Sequence, residues 1–315
     1  ILYSFRTGLK ATVVTEVIKI LIVWTGVIIL VPWAISAAGG WSVVVAGLGG
    51  KTGLGASIFG TPFAWGIFTG FGAAAFLGHL GGPWGDNSFY QRAFSIKKNC
   101  IIPSFIIASF VFIVVPICMG LLGFLAAGAG LEIPNSMVGV TNAITIGTFL
   151  PTSAAIVFMF MVFAGLVAIL DSQFASVANM TGHDIFNKFK GGTDDKQVIN
   201  YARGGMIALA IAGVGVANIP GMQLVYLFLF FAVLRASVWL PSMMSIVRPA
   251  WVTELGMFWG IAIPATIGEI LFVAGKLGYT DTAFTGVLIA IFGSPILVFI
   301  ISRMDNARLT QTNAS

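Results

Sequence analysis

Charge is what this sequence lacks most. Only 9% of its 315 residues are Asp, Glu, Lys or Arg, and 58% are hydrophobic, whereas soluble domains carry about 25% charged residues. Sixteen basic and eleven acidic side chains cannot supply the polar surface of a soluble protein of this length. Lipid must therefore be the solvent for most of the chain, which predicts an all-α integral membrane protein.

Cysteine and catalytic motifs are also scarce. Cys100 and Cys118 have no metal-ligand spacing and are expected to be packing residues. Because the sequence has no GxSxG, HExxH or Walker A motif, we expect no enzymatic activity and no organic cofactor or tightly bound metal. The net charge of +5 does not indicate a nucleic-acid partner, because the basic residues lie in short loops between apolar runs.

Long apolar runs are what the sequence does contain. Each of eight segments can cross roughly 30 Å of hydrocarbon at about 1.5 Å per helical residue. These segments cover residues 12–38, 61–82, 101–128, 151–182, 202–219, 222–247, 254–275 and 282–302. We therefore interpret residues 1–303 as a single transmembrane domain and residues 304–315 as a short cytoplasmic tail.

The distribution of basic residues predicts the orientation of these spans. If both termini are cytoplasmic, the inside loops and ends hold twelve Lys or Arg, and the outside loops hold only Lys51 and Lys276. Such a bias is typical of a multi-pass protein of the cell membrane, either plasma membrane or bacterial inner membrane. The chain opens on Ile1, and its first apolar run is too long for a signal peptide, so we expect an N-terminally truncated protein.

The second predicted span is unusually rich in glycine. Seven glycines lie between Gly66 and Gly85, and Pro83 falls near the end of the segment. Either the small residues allow tight helix packing, or the helix breaks and exposes backbone groups to a cavity. His79 is either a packed histidine or a solute-facing one, and its presence favours the broken helix.

Ionisable side chains at membrane depth are candidates for function because their insertion is costly. Asp171 is followed at helical spacing by Ser172, Ser176 and Asn179, which predicts one polar stripe on an apolar helix. The stripe serves either interhelical hydrogen bonding or an ion or proton path.

Three further ionisable groups lie in the predicted spans. Glu16 precedes Lys19 by three residues, which indicates either a local ion pair or a carboxylate at the inner exit of an ion path. Glu269 lies in the seventh segment. Arg235, in the sixth, either pairs with an acid or lines the path.

Three segments together resemble the sodium/solute symporter family, which includes sodium-coupled sugar, proline, iodide and pantothenate carriers and urea transporters. The family's Thr-Asp-x-x-Gln helix is similar to TEVIKILIVWTG (15–26). Its Asp/Asn-Gln…Gln-Arg…Ala-Lys stretch is similar to GDNSFYQRAFSIKKN (85–99), in which QRAF resembles the urea-transporter branch. Its Leu-Asp-Ser…Asp-Ile-Tyr helix is similar to GLVAILDSQFASVANMTGHDIFNKF (165–189).

The resemblance implies the five-plus-five inverted-repeat transporter fold. The first span here would be the fifth core helix, 61–82 the sixth and 151–182 the eighth, so that the first four core helices would be absent. Glu16 matches the family's acidic residue on the sodium exit route. The hydroxyl pair that binds sodium falls at Ala168 and Ile169, both apolar here, which puts the usual sodium site in doubt.

The resemblance also implies the positions of the two paths. A backbone-carbonyl ligand of sodium falls at Gly165, and a sugar-contacting asparagine of the family aligns with His79. The implied substrate path consists of His79, Asp86, Asn87, Gln91 and Arg92. The implied ion path consists of Glu16, Gly165, Ala168, Ile169, Asp171 and Ser172.

The function that follows is cation-coupled symport of a small polar solute, with sodium or a proton as the coupling ion. The alternative is a transporter-like sensor or a non-transporting membrane protein that binds a solute. The expected partners are the small-molecule solute and the lipid bilayer.

Overall fold

The structure is a computed structural model that describes residues 9–50, 53, 61–190, 194–219, 224–278 and 282–314. Nearly all of these residues are helical, and none of them lies in a strand. Arg6 and Lys51, which contribute to the predicted charge bias, lie outside the described residues.

Fifteen α-helices follow one another in this part of the chain, and several are joined by π or 3-10 turns. The α-helices are α1 (Leu9–Ala37), α2 (Trp41–Ala46), α3 (Pro62–Ile67), α4 (Ala73–Leu80), α5 (Gly82–Gly85), α6 (Asn87–Ser95), α7 (Ile101–Gly128), α8 (Thr141–Phe149), α9 (Thr152–Asn179), α10 (Lys188–Lys190), α11 (Asp195–Ala217), α12 (Leu224–Val247), α13 (Glu254–Lys276), α14 (Ala283–Leu288) and α15 (Ser294–Ala314). The π turns are Phe68–Gly72, Met180–Asn187 and Ile289–Gly293. The 3-10 turns are Gly47–Gly49, Lys98–Cys100, Asn135–Val140 and Pro249–Trp251.

Seven helical segments in the described residues are long and apolar enough to cross a membrane. Their outer faces carry large apolar side chains, such as Phe110 and Phe112 on α7, that remain exposed and are suited to contact lipid. The seven spans are Val13–Ala37, Lys98–Gly128, Thr152–Asn187, Asp195–Ala217, Tyr226–Val247, Glu254–Lys276 and Ala283–Arg308. Seven of the eight predicted segments are thereby confirmed as candidate spans, and the side on which the termini lie stays a prediction.

The segment 61–82 is not among these seven spans. Helices α3 and α4 are continuous with the π turn Phe68–Gly72 between them, so the chain stays helical over this stretch. The glycines left tight packing and a broken helix as alternatives, and the break that His79 favoured is not seen as an open one here. A π turn widens the helix locally by one residue per turn, which is a milder interruption than an extended break. After this helical stretch the backbone is next extended at Asp86, between α5 and α6.

The helical chain divides into two units, each with its own apolar core. Unit 1 comprises residues 1–56 and 91–221, and unit 2 comprises residues 57–90 and 222–315. The predicted single domain over 1–303 stays a prediction. Residues 304–314, predicted as a tail, continue helix α15.

Unit 1 is built around the contact of α1 with α9, against which α7, α8 and α11 also pack. Its buried core consists of Val27, Leu30, Val31, Ala34, Val44, Leu122, Leu125, Ile146, Leu150, Ala154, Phe158 and Met161.

The short helix α2 lies against the end of α7 with almost no space between the two backbones. A Cβ atom added to Gly128 would lie 1.8 Å from the carbonyl oxygen of Val43, and one added to Gly47 would lie 1.8 Å from that of Phe124. Both glycines are therefore required by close backbone approach.

Unit 2 is built around α12 and α13. Helix α12 packs on α4, and α13 packs on α14 and α15. The buried core consists of Leu229, Val233, Ala236, Phe272, Val287, Ala290 and Ile291. Glycines again line the contacts: a Cβ atom on Gly260 would lie 2.5 Å from the backbone of Val298, and one on Gly268 would lie 2.7 Å from the carbonyl oxygen of Gly286. Such small residues are typical of helix contacts in lipid, where burial from water does not drive association.

We expect Gly128→Ala to destabilise the protein, because the new methyl group would meet the Val43 carbonyl. Overpacking of this kind costs about 1–3 kcal/mol. The matched control is Gly123→Ala on the same helix, where a Cβ atom would meet nothing within 4 Å and where replacing glycine gains up to about 1 kcal/mol. Thermal unfolding of the purified protein in detergent measures both changes. Equal midpoints for the two variants would contradict the close contact.

Candidate functional site

Helix α1 carries two charged side chains on one face at the start of the first span. Glu16 and Lys19 are three residues apart and both are half-buried. Their spacing predicts a local ion pair as one alternative, but the two side chains do not pair with each other. Each instead contacts α9 of the same unit.

Helix α9 supplies the most deeply buried charge of unit 1. The side chain of Asp171 is only 2% exposed and forms an ion pair with the ammonium group of Lys19. Ser172 and Ser176 are also buried, so that the predicted polar stripe faces into the unit. An unpaired carboxylate at this position would be costly, and the salt bridge to Lys19 compensates its charge.

Arg92 of α6 completes this set of contacts. Its Nη2 atom donates to Ser172 Oγ at 2.7 Å and lies 3.3 Å from Glu16 Oε1. The Ser172 hydroxyl lies 2.7 Å from the same Glu16 oxygen, to which it can donate. We call the five residues of these contacts the charge network: Glu16, Lys19, Arg92, Asp171 and Ser172.

The charge network joins three helices and balances its formal charge. Two carboxylates face one ammonium and one guanidinium group. Gln91, the residue before Arg92, also reaches α9, because its Nε2 atom donates to the carbonyl oxygen of Ala175 at 3.3 Å. Of the predicted path residues, Glu16, Gln91, Arg92, Asp171 and Ser172 therefore lie together in unit 1.

The three positions that the resemblance assigns to sodium lie two to six residues before Asp171 on α9. A Cβ atom on Gly165 would lie 3.9 Å from a Val23 methyl group, so this glycine faces α1. The carbonyl oxygen of Ala168 lies 3.1 Å from Ser172 Oγ, while the side chain of Ile169 is 63% exposed. Neither Ala168 nor Ile169 offers a side-chain oxygen, so these residues do not fit the hydroxyl pair of the usual sodium site.

The remaining predicted path residues lie in unit 2. Asp86 accepts a hydrogen bond from the backbone N–H of Ser88 at 2.9 Å and forms an ion pair with Arg235 of α12, whose Nη2 atom lies 3.3 Å from Asp86 Oδ2. His79 stacks at a tilt on Phe228, with 4.4 Å between the ring centroids. The amide nitrogen of Asn87 is buried without a hydrogen-bond partner in the described chain.

Glu269 is a buried carboxyl group that belongs neither to the charge network nor to the ion pair of Asp86 and Arg235. It lies within α13, is 8% exposed, and neither of its oxygens has a hydrogen-bonding partner among the described residues. The group faces the backbone of Leu234 on α12.

Sequence reasoning noticed Lys19 and Arg235 but did not place them in either path. Lys19 pairs with a residue 152 positions away, and Arg235 pairs with one 149 positions away. The only signal for these two ion pairs was the charge of Lys19 and Arg235 at membrane depth, because such a group needs a partner of opposite charge. The partners could not be identified from sequence distance, because the acids nearest in sequence are not the ones that form the pairs.

Comparison with known proteins agrees with the helical architecture. The model of the sodium:solute symporter family matches residues 1–263. Comparison with curated proteins and with solved structures finds no match. Since the matched residues make up well over half of the chain, the chain belongs to the sodium:solute symporter family.

Proposed function

We propose that the charge network is the ion-sensing element of a symporter that moves a small polar solute together with a cation. The family couples sodium to solute symport, and the seven candidate spans are those of a multi-pass membrane protein. The charge bias supports a position in the cell membrane with both ends of this chain in the cytoplasm.

The observation that carries the proposal is the pairing of every carboxylate in the charge network with a tethered cation. A coupling ion that approaches Glu16 or Asp171 competes with Arg92 or Lys19 for the same oxygens. For the buried pair of Asp171 and Lys19, removing one partner costs about 3–5 kcal/mol, because the other charge is left without compensation. The pair of Glu16 and Arg92 is more exposed and contributes less. The helices can therefore separate at low cost only when a mobile cation replaces the tethered one. That dependence is a coupling free energy between ion binding and conformation.

The proposal of a coupling ion rests on the family and on the oxygens that are present. Ala168 and Ile169 remove the hydroxyl pair of the usual sodium site, while the carbonyl oxygen of Gly165 could still serve. The carboxylates of the charge network supply stronger oxygen ligands one or two turns away. We infer that sodium, the coupling ion of the family, passes Glu16 and Asp171, with a proton as the alternative ion.

We propose that His79, Asp86 and Asn87 of unit 2 contact the solute, while the assignment of Gln91 and Arg92 of unit 1 stays a prediction from the family resemblance. Their hydrogen-bonding groups suit a small polar solute. A protein that only binds its solute, or senses it, would show binding without accumulation, and the uptake measurements below distinguish these cases.

We expect solute uptake by proteoliposomes that contain the complete protein to depend on a sodium gradient. Urea, proline and glucose form the first solute panel. Replacing sodium by choline is expected to lower the initial rate at least about tenfold, which corresponds to roughly 1.4 kcal/mol. Uptake that is unchanged in choline and abolished by a protonophore would contradict sodium coupling and assign the role to a proton.

We expect Asp171→Asn to lower the rate of sodium-driven uptake on the order of tenfold or more, because it removes the counter-charge of Lys19 and a ligand of the ion. The matched control is Asp195→Asn, the same chemical change at an exposed position at the start of α11. Initial uptake rates are normalised to the amount of monodisperse protein.

A double variant distinguishes a role of this ion pair in transport from a role in stability. Lys19→Met with Asp171→Leu replaces the buried pair by apolar side chains, a change that is often neutral or stabilising. We expect this variant to unfold no earlier than the wild type and to remain inactive in uptake. Recovery of wild-type uptake would mean that the ion pair is structural only.

A further inference from the structure

Arg235 lies near the middle of a candidate membrane span, where an uncompensated charge is energetically unfavourable. It is nine residues from the start of the span Tyr226–Val247 and twelve from its end, which places it roughly 14 Å and 18 Å from the two ends. One third of its side chain (33%) is nevertheless exposed. A guanidinium group that is exposed at this depth faces a water-filled or ligand-filled space, because hydrocarbon cannot solvate it.

Most of the hydrogen-bonding capacity of Arg235 is unused. A guanidinium group has five N–H donors. In the described chain Arg235 makes a single hydrogen bond, from Nη2 to Asp86 Oδ2 at 3.3 Å. Arginine and carboxylate groups frequently form two parallel bonds, so this single long contact leaves donors available for a second acceptor.

The surroundings of Arg235 provide further hydrogen-bond donors and a closely packed backbone segment. A Cβ atom on Gly81 would lie 2.2 Å from the carbonyl oxygen of Arg235, and one on Gly85 would lie 3.8 Å from its Cγ atom. The segment between these glycines and Asp86 is therefore seated on α12. The guanidinium charge of Arg235 acts on the nearby imidazole ring of His79, and Asn87 follows Asp86 with its amide nitrogen unpartnered among the described residues.

We propose that Arg235 anchors the carboxylate group of the transported solute, with Asp86 as a competitor built into the protein. The inference rests on the proposed transport function and names the class of its solute. A carboxylate matches the planar donor fork of arginine. Asp86 and the solute compete for the same guanidinium group, so solute binding exchanges an internal ion pair for an external one.

The charges at this site explain why a carboxylate solute would need a coupling cation. Arg235 and Asp86 are together neutral, and binding of a carboxylate leaves one net negative charge at membrane depth. A cation that enters with the solute offsets this charge. A neutral solute such as urea or a sugar would create no such requirement.

The first test compares carboxylates with their neutral amides in proteoliposomes of the complete protein under a sodium gradient. The pairs are acetate and acetamide, and lactate and lactamide. We expect at least one acid to be taken up about tenfold faster than its amide, a discrimination of roughly 1.4 kcal/mol. Sodium-driven uptake of urea or glucose without uptake of any acid would overturn this inference and leave the proposed function standing. Absence of sodium-driven uptake of every solute would overturn both.

Two variants with opposite expected effects test the competition. Arg235→Lys keeps the charge and loses the bidentate fork, so the KM for the acid is expected to rise about tenfold. Asp86→Asn removes the competitor, so the KM for the same acid is expected to fall several-fold. The control is Arg248→Gln, which removes an exposed guanidinium group that lies over Trp251 just beyond α12. A purely structural ion pair predicts no gain of affinity in Asp86→Asn, and that result would refute the competition.

A measurement on the wild-type protein tests the site even when the variants do not fold. Phenylglyoxal condenses with accessible guanidinium groups, and peptide mass analysis quantifies the labelled fraction of Arg235. We expect the acid, and not its amide, to protect Arg235 while Arg248 labels equally in both. Equal labelling of Arg235 with and without the acid would contradict the site.

Discussion

A charge at membrane depth is costly unless another charge compensates it, and such pairing connects helices in both units of the protein. In unit 1 it ties α1, α6 and α9 together through the charge network. In unit 2 it ties Asp86 to Arg235 of α12. Neither set of contacts adds much stability compared with well-packed apolar side chains, because desolvation offsets most of the attraction between paired ions. In the proposed mechanism their value lies in the response to a mobile ion or solute, which would replace one partner of each pair.

The bilayer also determines how the helices pack. Lipid chains are as apolar as the helix surfaces, so burial from water does not drive the helices together, and close backbone contact through glycine takes its place. Gly47 and Gly128 in unit 1 and Gly260 and Gly268 in unit 2 are examples. A framework held by such contacts can support polar clusters without a large apolar core.

The sequence predicts the parts of the structure that depend on local composition. Seven of eight apolar segments are candidate spans, and the polar stripe that begins at Asp171 faces inward. Pairing was not predictable, because the partner of a long side chain depends on which helices are neighbours. Glu16 and Lys19 had the spacing of a local ion pair, yet both contact α9. The glycines of segment 61–82 predicted an irregular helix, but glycine content does not distinguish a π turn from an open break.

The glycines of α4 and of the turn after it have a mechanical consequence. Gly78 and Gly81 lie directly against α12: a Cβ atom on Gly78 would meet the Cβ atom and the carbonyl oxygen of Ala232, and one on Gly81 would meet the carbonyl oxygen of Arg235. Because the two segments are in such close contact, the residues beside these glycines are fixed relative to α12. Within the proposed transport function, His79 and Asp86 would therefore move together with α12, and the groups that would contact a solute would keep their mutual geometry.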